Sequence, residues 1–261
     1  MNAAPETPTD VQDADTLGVA FLAIPPQATT AVVFVHGLGG HRLKSWGAPG
    51  QPGAFMARLQ ADLPQVAVAT YSYTSELKTI VADQTLTLSK MANEWARQIR
   101  QVLLTRFDTV VIVAHCLGGL LTTMGISALL AECGSSDSER LRRKRVILFL
   151  LDAPHDLPSQ GPWPWLSGFL DALKLSPEAF RASAALWRKS VLAPNNFPLS
   201  VQAYALTSGQ NGWVTALHPD ADLPPERVCK AHLSHEDLAR APADGVFMPY
   251  EFVLSRLGEL G

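Results

Sequence analysis

The chain has 261 residues, with 24 acidic and 21 basic side chains, so its formal net charge is -3. Hydrophobic residues make up 47% of the chain and charged residues 17%, against a usual charged fraction of about 25%. This composition excludes a disordered chain, because it supplies ample apolar surface for a core. The nearly balanced charge lacks the basic excess of a nucleic-acid-binding protein, so we expect no nucleic-acid partner.

Residues 1–16 carry four acidic side chains and no basic one, without the basic and apolar segments of a secretory signal. We interpret them as a disordered tail before a single domain of residues 17–261. No apolar run approaches the ~18 residues that a membrane-spanning helix needs. We therefore expect a cytoplasmic protein. The basic run 139–145 is interpreted as a solvated loop, with contact to an anion or a lipid headgroup as the alternative. The oligomeric state is left open.

Strand-like and helix-like patterns alternate from residue 17 onward. The strand-like runs are 17–25, 31–37, 66–73, 108–115, 144–154 and 199–209, and helical patterns occupy 53–63, 85–106 and 117–131. The middle strands are apolar and β-branched without clean alternation, which is typical of strands covered on both faces. This alternation of strands and helices predicts an α/β fold with a doubly wound, mainly parallel sheet.

About forty residues, 159–198, separate the last two predicted strands and contain two helical stretches bounded by prolines. A connection of this length is unusual, so we predict a helical cap insertion over the active edge of the sheet. Its large apolar side chains either contact an acyl chain or pack the cap onto its own core. They are Trp163, Trp165, Phe169 and Leu170.

The run 110–121 is an apolar strand that enters a turn of small residues around Cys116 and continues into a helix. This context is that of the nucleophile elbow, in which Ala114 and Gly118 let strand and helix pass closely and the nucleophile stands clear of the sheet. The partial positive charge of the helix N-terminus favours a thiolate there. A buried packing cysteine is the alternative. The adjacent His115 is not expected to be the base, because neighbouring side chains on an elbow diverge.

The run 31–41 is a second core strand, ending in His-Gly-Leu-Gly-Gly. Acyl transfer requires backbone amides aimed at the developing oxyanion, and a glycine-rich turn of this kind supplies one of them. We expect the amides of Leu38 and Leu117 to form the oxyanion hole. A glycine turn without a catalytic task is the alternative, and a phosphate loop is disfavoured because the P-loop lysine is missing.

Three segments, FVHGLGGHRLKSWG (34–47), VIVAHCLGGLL (111–121) and FLLDAPHD (149–156), resemble the α/β-hydrolase fold. They are most similar to the lipase-like serine esterases related to GPI inositol-deacylase and the mitochondrial serine-active-site proteins. The similarity covers about residues 30–160 and the C-terminal region and leaves the cap unmatched. It implies acyl-bond hydrolysis without a cofactor or metal, with Cys116 standing where the family has its nucleophilic serine.

The resemblance also implies the base. The family carries it in a loop near the C-terminus, and the matching stretch here is 234–242, which assigns His235, with His232 as the second choice. The order of nucleophile first and histidine last is that of the α/β-hydrolases. Cys229, His232 and His235 could also be interpreted as metal ligands, but a zinc site needs a fourth ligand that is not evident.

The third triad member departs from the family pattern. In the stretch 207–215, Asn211 stands where the resemblance places an aspartate, and Asp152 at the end of another strand is the alternative. The substitutions at positions 116 and 211 agree chemically, because papain-like enzymes combine a cysteine and histidine with an orienting asparagine.

These observations predict a hydrolase that cleaves an ester, thioester or related bond of a small-molecule or lipid acyl substrate through a covalent acyl-cysteine. A catalytically silent α/β-hydrolase-like binding or signalling module is the first alternative, and a cysteine-dependent acyltransferase is the second. A serine replaced by engineering at position 116 would give the same sequence.

Overall fold

The computed structural model of the chain describes residues 16–83, 85–133, 139–154, 177–192, 198–208 and 223–258. Its seven-stranded sheet has the order β1-β3-β2-β4-β5-β6-β7. The strands are β1 (Gly18–Ala23), β2 (Thr30–Val35), β3 (Ala67–Ser72), β4 (Thr109–His115), β5 (Arg145–Leu151), β6 (Ser200–Ser208) and β7 (Val228–Ala231). β1 pairs antiparallel with β3, and the other pairs are parallel. The predicted doubly wound, mainly parallel sheet is confirmed.

Helices cover both faces of this sheet. They are α1 (Ala54–Asp62), α2 (Leu77–Ala82), α3 (Leu88–Gln98, continued by a π-helical turn Ile99–Leu103), α4 (Leu117–Glu132), α5 (Pro177–Leu192) and α6 (Met248–Gly258). One core cluster joins the sheet to α3, α4 and α5, and a second joins it to α1 and α6. Among the helices of the described ranges, none combines the length and apolarity needed to cross a membrane.

The second half of the predicted cap forms α5, which connects β5 to β6 and packs on α4. The Ser127 hydroxyl of α4 donates to the Ser183 carbonyl at 3.2 Å, and Trp187 and Val191 are buried in the same core as α4. This stretch therefore serves as a crossover helix of the sheet. Residues 155–176 and 193–197 lie outside the described residues, so the cap over the cleft stays a prediction there. Residues 1–15 of the predicted tail lie outside them as well.

Strand register brings several strand ends to one edge of the sheet. Ala114 of β4 is paired with Val35 of β2 on one side and with Leu150 of β5 on the other. Leu151 of β5 is in turn paired with Leu206 of β6. Residues that immediately follow β2, β4 and β5 therefore emerge side by side, at the carboxyl edge where open α/β sheets bind ligands.

Candidate active site

Cys116 is the single residue between β4 and α4, and its backbone is strained. Its φ is 53° and its ψ is −122°, a region that residues other than glycine rarely adopt. The Cys116 amide donates to the Leu151 carbonyl at 3.0 Å, which ties the turn to the end of β5. The strand–turn–helix geometry predicted around this cysteine is thus present, with the thiol half-buried at the sheet edge.

Glycines make this turn sterically possible. A Cβ on Gly118 would come within 2.4 Å of the His36 carbonyl oxygen, so α4 can begin only where that position lacks a side chain. A Cβ on Gly37 would come within 2.9 Å of the Cys116 Cβ. The spacing of small residues seen in the sequence therefore reflects the close approach of the oxyanion loop, residues 36–40, to the elbow.

His235 lies in a tight turn that follows β7 and is 7% exposed. The Asp237 amide donates to the Ser234 hydroxyl across this turn at 3.2 Å, which fixes its path. His235 and Cys116 line the same cleft, and the interaction between their side chains contributes to raising the pKa of His235. His232, the second choice for the base, is exposed three residues earlier. The structure thus brings His235 against the thiol.

Asp152 directly follows β5 in a left-handed conformation, with φ 43°, and is 1% exposed. Its Oδ1 accepts the Ser208 amide of β6 at 2.7 Å, and its Oδ2 lies 3.0 Å from His235 Nδ1. An ionised carboxylate only accepts hydrogen bonds, so Nδ1 donates and Nε2 remains for the thiol. The partner of His235 is thus the alternative third member named from the sequence. The preferred one, Asn211, lies outside the described residues.

The electrostatics of this pair favour an imidazolium beside a carboxylate. Burial alone would lower the pKa of His235, but the hydrogen bond to Asp152, the contact with Cys116 and the nearby charges outweigh it and raise this pKa to about 9. Burial alone would raise the pKa of Asp152, yet its hydrogen bonds with His235 and Ser208 hold it below the usual range. At neutral pH the ring therefore carries two protons.

His115 packs against His235 and contacts its backbone. Its ring lies against the ring of His235, with 4.5 Å between centroids, and its Nε2 is 2.8 Å from the His235 carbonyl oxygen. Because a carbonyl accepts, Nε2 donates. Burial, followed by the positive His235, lowers the pKa of His115 to about 3, so this ring is neutral. His115 is not placed as the base, and it holds the backbone of His235, a role that the sequence analysis missed.

The two amides predicted to form the oxyanion hole belong to Leu38, which lines the same cleft as Cys116, and to Leu117, which directly follows Cys116. Within the described ranges, neither the Leu38 amide nor the Leu117 amide donates a hydrogen bond. Leu117 is the first residue of α4, where backbone N–H groups have no partner inside the helix. Both amides are consequently available to an oxyanion.

The segment that follows β3 braces the oxyanion loop. The Tyr73 hydroxyl donates to the His36 carbonyl at 2.7 Å, and the two rings stack with 4.7 Å between centroids. The Gly39 amide donates to the Ser75 carbonyl at 2.8 Å. These contacts hold the loop at His36 and at Gly39, the residues two before and one after Leu38.

The thiol opens into a cleft of about 420 Å³. Besides His235, its charged lining residues are Lys44, Glu236 and Arg240, and the last two form an ion pair at 2.7 Å. A volume of this size accommodates a small to medium ligand. In the part of the chain that the structure describes, no three side chains of His, Cys, Asp or Glu are grouped to hold a metal ion.

Three solved structures share this fold with the chain. A lipase-esterase related protein from Clostridium acetobutylicum ATCC 824 is 10% identical, with 93% of this chain and 98% of that chain covered and a TM-score of 0.50. A proposed hydrolase from Agrobacterium vitis S4 is 14% identical, with 93% and 92% covered and a TM-score of 0.54. A proposed carboxylesterase from Lactobacillus plantarum WCFS1 is 13% identical, with 95% and 88% covered and a TM-score of 0.50. At these identities the likeness concerns the fold alone.

No curated protein sequence matches the chain. A sequence model of the alpha/beta hydrolase family, however, matches residues 32–257. The matched range runs from β2 to α6 and includes Cys116, Asp152 and His235. This match agrees with the sheet order and with the strained turn between β4 and α4, and we conclude that the chain belongs to the alpha/beta hydrolase family.

Proposed function

We propose that this hydrolase cleaves an ester or thioester bond by covalent catalysis, with Cys116 as nucleophile, His235 as proton carrier and Asp152 as the orienting carboxylate. The continuous set of contacts from Asp152 through His235 to a thiol held at the elbow carries this proposal. Asp152 takes the role that the sequence pattern first assigned to Asn211. Nδ1 has one proton to donate, and the Asp152 carboxylate accepts it.

In the first half of the reaction, the Cys116 sulfur attacks the acyl carbon, and a bond forms between sulfur and carbon. The raised pKa of His235 favours the state in which Nε2 has taken the thiol proton. Negative charge develops on the carbonyl oxygen, where the amides of Leu38 and Leu117 stabilise it. Collapse of this intermediate breaks the bond to the leaving group, which takes the proton from Nε2 and departs.

In the second half, His235 is neutral and acts as a general base. Its Nε2 takes a proton from a water molecule whose oxygen attacks the acyl-cysteine, and the same two amides stabilise the second oxyanion. The bond between sulfur and carbon breaks, the carboxylic acid product leaves, and the proton returns to the Cys116–His235 pair. Asp152 stays ionised throughout and stabilises each imidazolium state.

The substrate class proposed is a small-molecule or lipid acyl compound. A cleft of about 420 Å³ fits an acyl chain of moderate length with part of its leaving group. The closer relation to the GPI inositol-deacylase group remains part of this proposal and rests on the motifs at 34–47, 111–121 and 149–156.

The decisive experiment is trapping of the acyl-enzyme with p-nitrophenyl butyrate, followed by intact-mass and peptide mass spectrometry. We expect a burst of p-nitrophenol and one butyryl group on the peptide that contains Cys116. Cys116→Ala should lose the burst, the adduct and turnover. Cys229→Ala is the matched control, because Cys229 is a half-buried cysteine on β7, the strand that leads into the His235 turn, and its variant should retain all three.

The alternatives give different results in the same assay. A silent binding module would show neither burst nor adduct in the wild-type protein. A cysteine-dependent acyltransferase would form the adduct but release it to an added alcohol faster than to water. Turnover that persists unchanged in Cys116→Ala would exclude this cysteine as the nucleophile.

A further inference from the structure

The walls of the active-site cleft are hydrophilic in the part of the chain that the structure describes. Among the described lining residues, Leu38 is the only one with a large apolar side chain. The others are glycines, small residues, and polar or charged side chains. A long acyl chain is held in a pocket by covering apolar surface, and these walls offer little of it. The described part of the cleft therefore suits a short or hydrophilic ligand.

The charges on these walls do not cancel. The imidazolium of His235 is paired with Asp152, and Arg240 is paired with Glu236, which is the only carboxylate in the described lining. Lys44, from the segment after the oxyanion loop, lines the same cleft. No carboxylate of the described ranges forms an ion pair with it. Lys44 is thus a positive charge on the cleft wall without a counterion.

The backbone of Lys44 is anchored, while its side chain is accessible. Lys44 begins the 3₁₀-helical turn Lys44–Trp46, and Trp46 is fully buried against Phe34, with 5.0 Å between ring centroids. The Lys44 amide also donates to Nδ1 of His41, the residue after the oxyanion loop, at 3.3 Å. The residue itself is exposed. Its ammonium can therefore contact a charged ligand without giving up an ion pair within the described chain.

We propose that Lys44 selects acyl substrates that carry a negatively charged group, through contact between its ammonium and an anionic oxygen of the bound compound. The attraction depends on the cleft alone, and its use in catalysis rests on the proposed hydrolysis by Cys116. A neutral lipid chain gains nothing from such a contact. The inference therefore favours small charged acyl compounds over lipids, with the charge on either the acyl part or the leaving group.

The first test compares alkylation of Cys116 by iodoacetate, which is negatively charged, with alkylation by iodoacetamide, which is neutral. In both reactions the sulfur displaces iodide, so that one S–C bond forms and one C–I bond breaks. Peptide mass spectrometry gives the two rate constants at low ionic strength and separates Cys116 from Cys133 and Cys229. Because no acyl bond is cleaved, the result does not depend on turnover.

We expect the ratio of the iodoacetate to the iodoacetamide rate constant to be about twofold to fivefold lower in Lys44→Met than in wild type, as for loss of an exposed ion pair. Lys44→Arg should restore the ratio. Added salt should lower the wild-type ratio more than that of Lys44→Met, because exposed charges are screened. Lys230→Met is the matched control, since Lys230 is an exposed lysine on β7 that does not line the cleft, and it should keep the wild-type ratio.

Two pairs of substrates then show which part of the substrate carries the charge. p-Nitrophenyl hydrogen adipate, compared with p-nitrophenyl hexanoate, has a carboxylate at the end of the acyl part. The butyryl thioester of mercaptopropionate, compared with that of mercaptopropanol, has it on the leaving group. The charged part is identified by the pair whose ratio of kcat/KM, charged over neutral, falls in Lys44→Met.

The outcomes separate this inference from the proposed hydrolysis. An unchanged alkylation ratio in Lys44→Met, or an equal fall in Lys230→Met, would overturn the role of Lys44 and leave the hydrolysis intact. The same conclusion would follow if both substrate pairs kept their kcat/KM ratios in Lys44→Met. A Cys116 that reacts with neither reagent would overturn both proposals. An alkylation ratio that depends on Lys44 in a protein that cleaves none of the four substrates would support the anion contact and overturn the hydrolysis alone.

Discussion

The most informative perturbation of the site is Asp152→Asn, which removes one charge without changing the size of the side chain. Asp152 accepts two N–H groups, one from Ser208 and one from His235. An amide has only one oxygen for these two donors. If that oxygen stays with Ser208, the amide NH2 faces Nδ1, the ring proton moves to Nε2, and the ring can no longer take the thiol proton. If the new side-chain amide is instead turned over, its NH2 group faces the Ser208 backbone N–H. That backbone N–H then loses its acceptor.

The size of the effect follows from the pKa of His235. Its rise from 6.5 to about 9 is worth roughly 3 kcal/mol at 1.36 kcal/mol per pKa unit. The hydrogen bond to Asp152 is the largest contribution that raises this pKa. We therefore expect kcat/KM to fall by about 10²–10³. The same change in a serine triad costs about 10⁴, and a smaller loss is expected here because a thiol gives up its proton more readily than a hydroxyl.

The assay is kcat/KM for p-nitrophenyl butyrate between pH 6 and 9, with Tm recorded for each variant. Asp108→Asn is the control: it makes the same exchange at an exposed carboxylate paired with Lys144 at 2.8 Å, close to the start of β4, and should leave kcat/KM within twofold. A folded Asp152→Asn protein that keeps at least a third of wild-type kcat/KM over this range would refute the orienting role of Asp152. In that case Asn211 would again be the leading candidate.

Two further predictions concern the surroundings of the base. His115→Phe keeps a ring against His235 but removes the donor to its carbonyl, so kcat should fall about tenfold with little change in KM. In His115→Gln, an amide N–H that reaches the same carbonyl should restore most of the wild-type kcat. An equal loss of kcat in both variants would indicate that His115 has a packing role only. The second prediction is that the Tm difference between wild type and His235→Gln is largest near pH 6 and shrinks towards pH 10. The pKa of His235 is about 9 in the folded state and 6.5 in the unfolded state, so its stabilisation of the fold is complete below pH 6.5 and is lost as pH rises through 9. A Tm difference that grew with pH would contradict this prediction.

The elements that the sequence predicted well are those whose signals are local. The turn at Cys116 follows from an apolar strand, small residues and a helix within twelve positions. The core strands follow from runs such as 145–151, of which all but Arg145 are buried. In contrast, β7 has only four residues and includes the exposed Lys230, so no strand pattern marks it. The start of α6 did carry a signal, since Pro249 lies in its first turn.

The third member of the proposed triad could not be assigned from local patterns. Asp152 and His235 are 83 positions apart, and they meet because β5, which precedes Asp152, and β7, which precedes His235, flank β6 in the sheet. Sequence spacing does not reveal which strands are neighbours, whereas the family pattern points to Asn211. For His115 a signal existed, because a polar ring at the end of an otherwise apolar strand needs a buried partner. Identifying the His235 carbonyl as that partner required the fold.

With Asp152 in contact with His235, the proposed site differs from a serine triad at one position rather than two. A carboxylate that orients the histidine serves a hydroxyl as well as a thiol, so the third residue does not explain why position 116 is a cysteine. The consequence of sulfur lies in the intermediate, since an acyl-cysteine is itself a thioester. Its formation from a thioester substrate exchanges one thioester for another, whereas its formation from an oxygen ester is uphill. The retained Asp–His pair with a thiol therefore favours thioesters among the acyl substrates proposed.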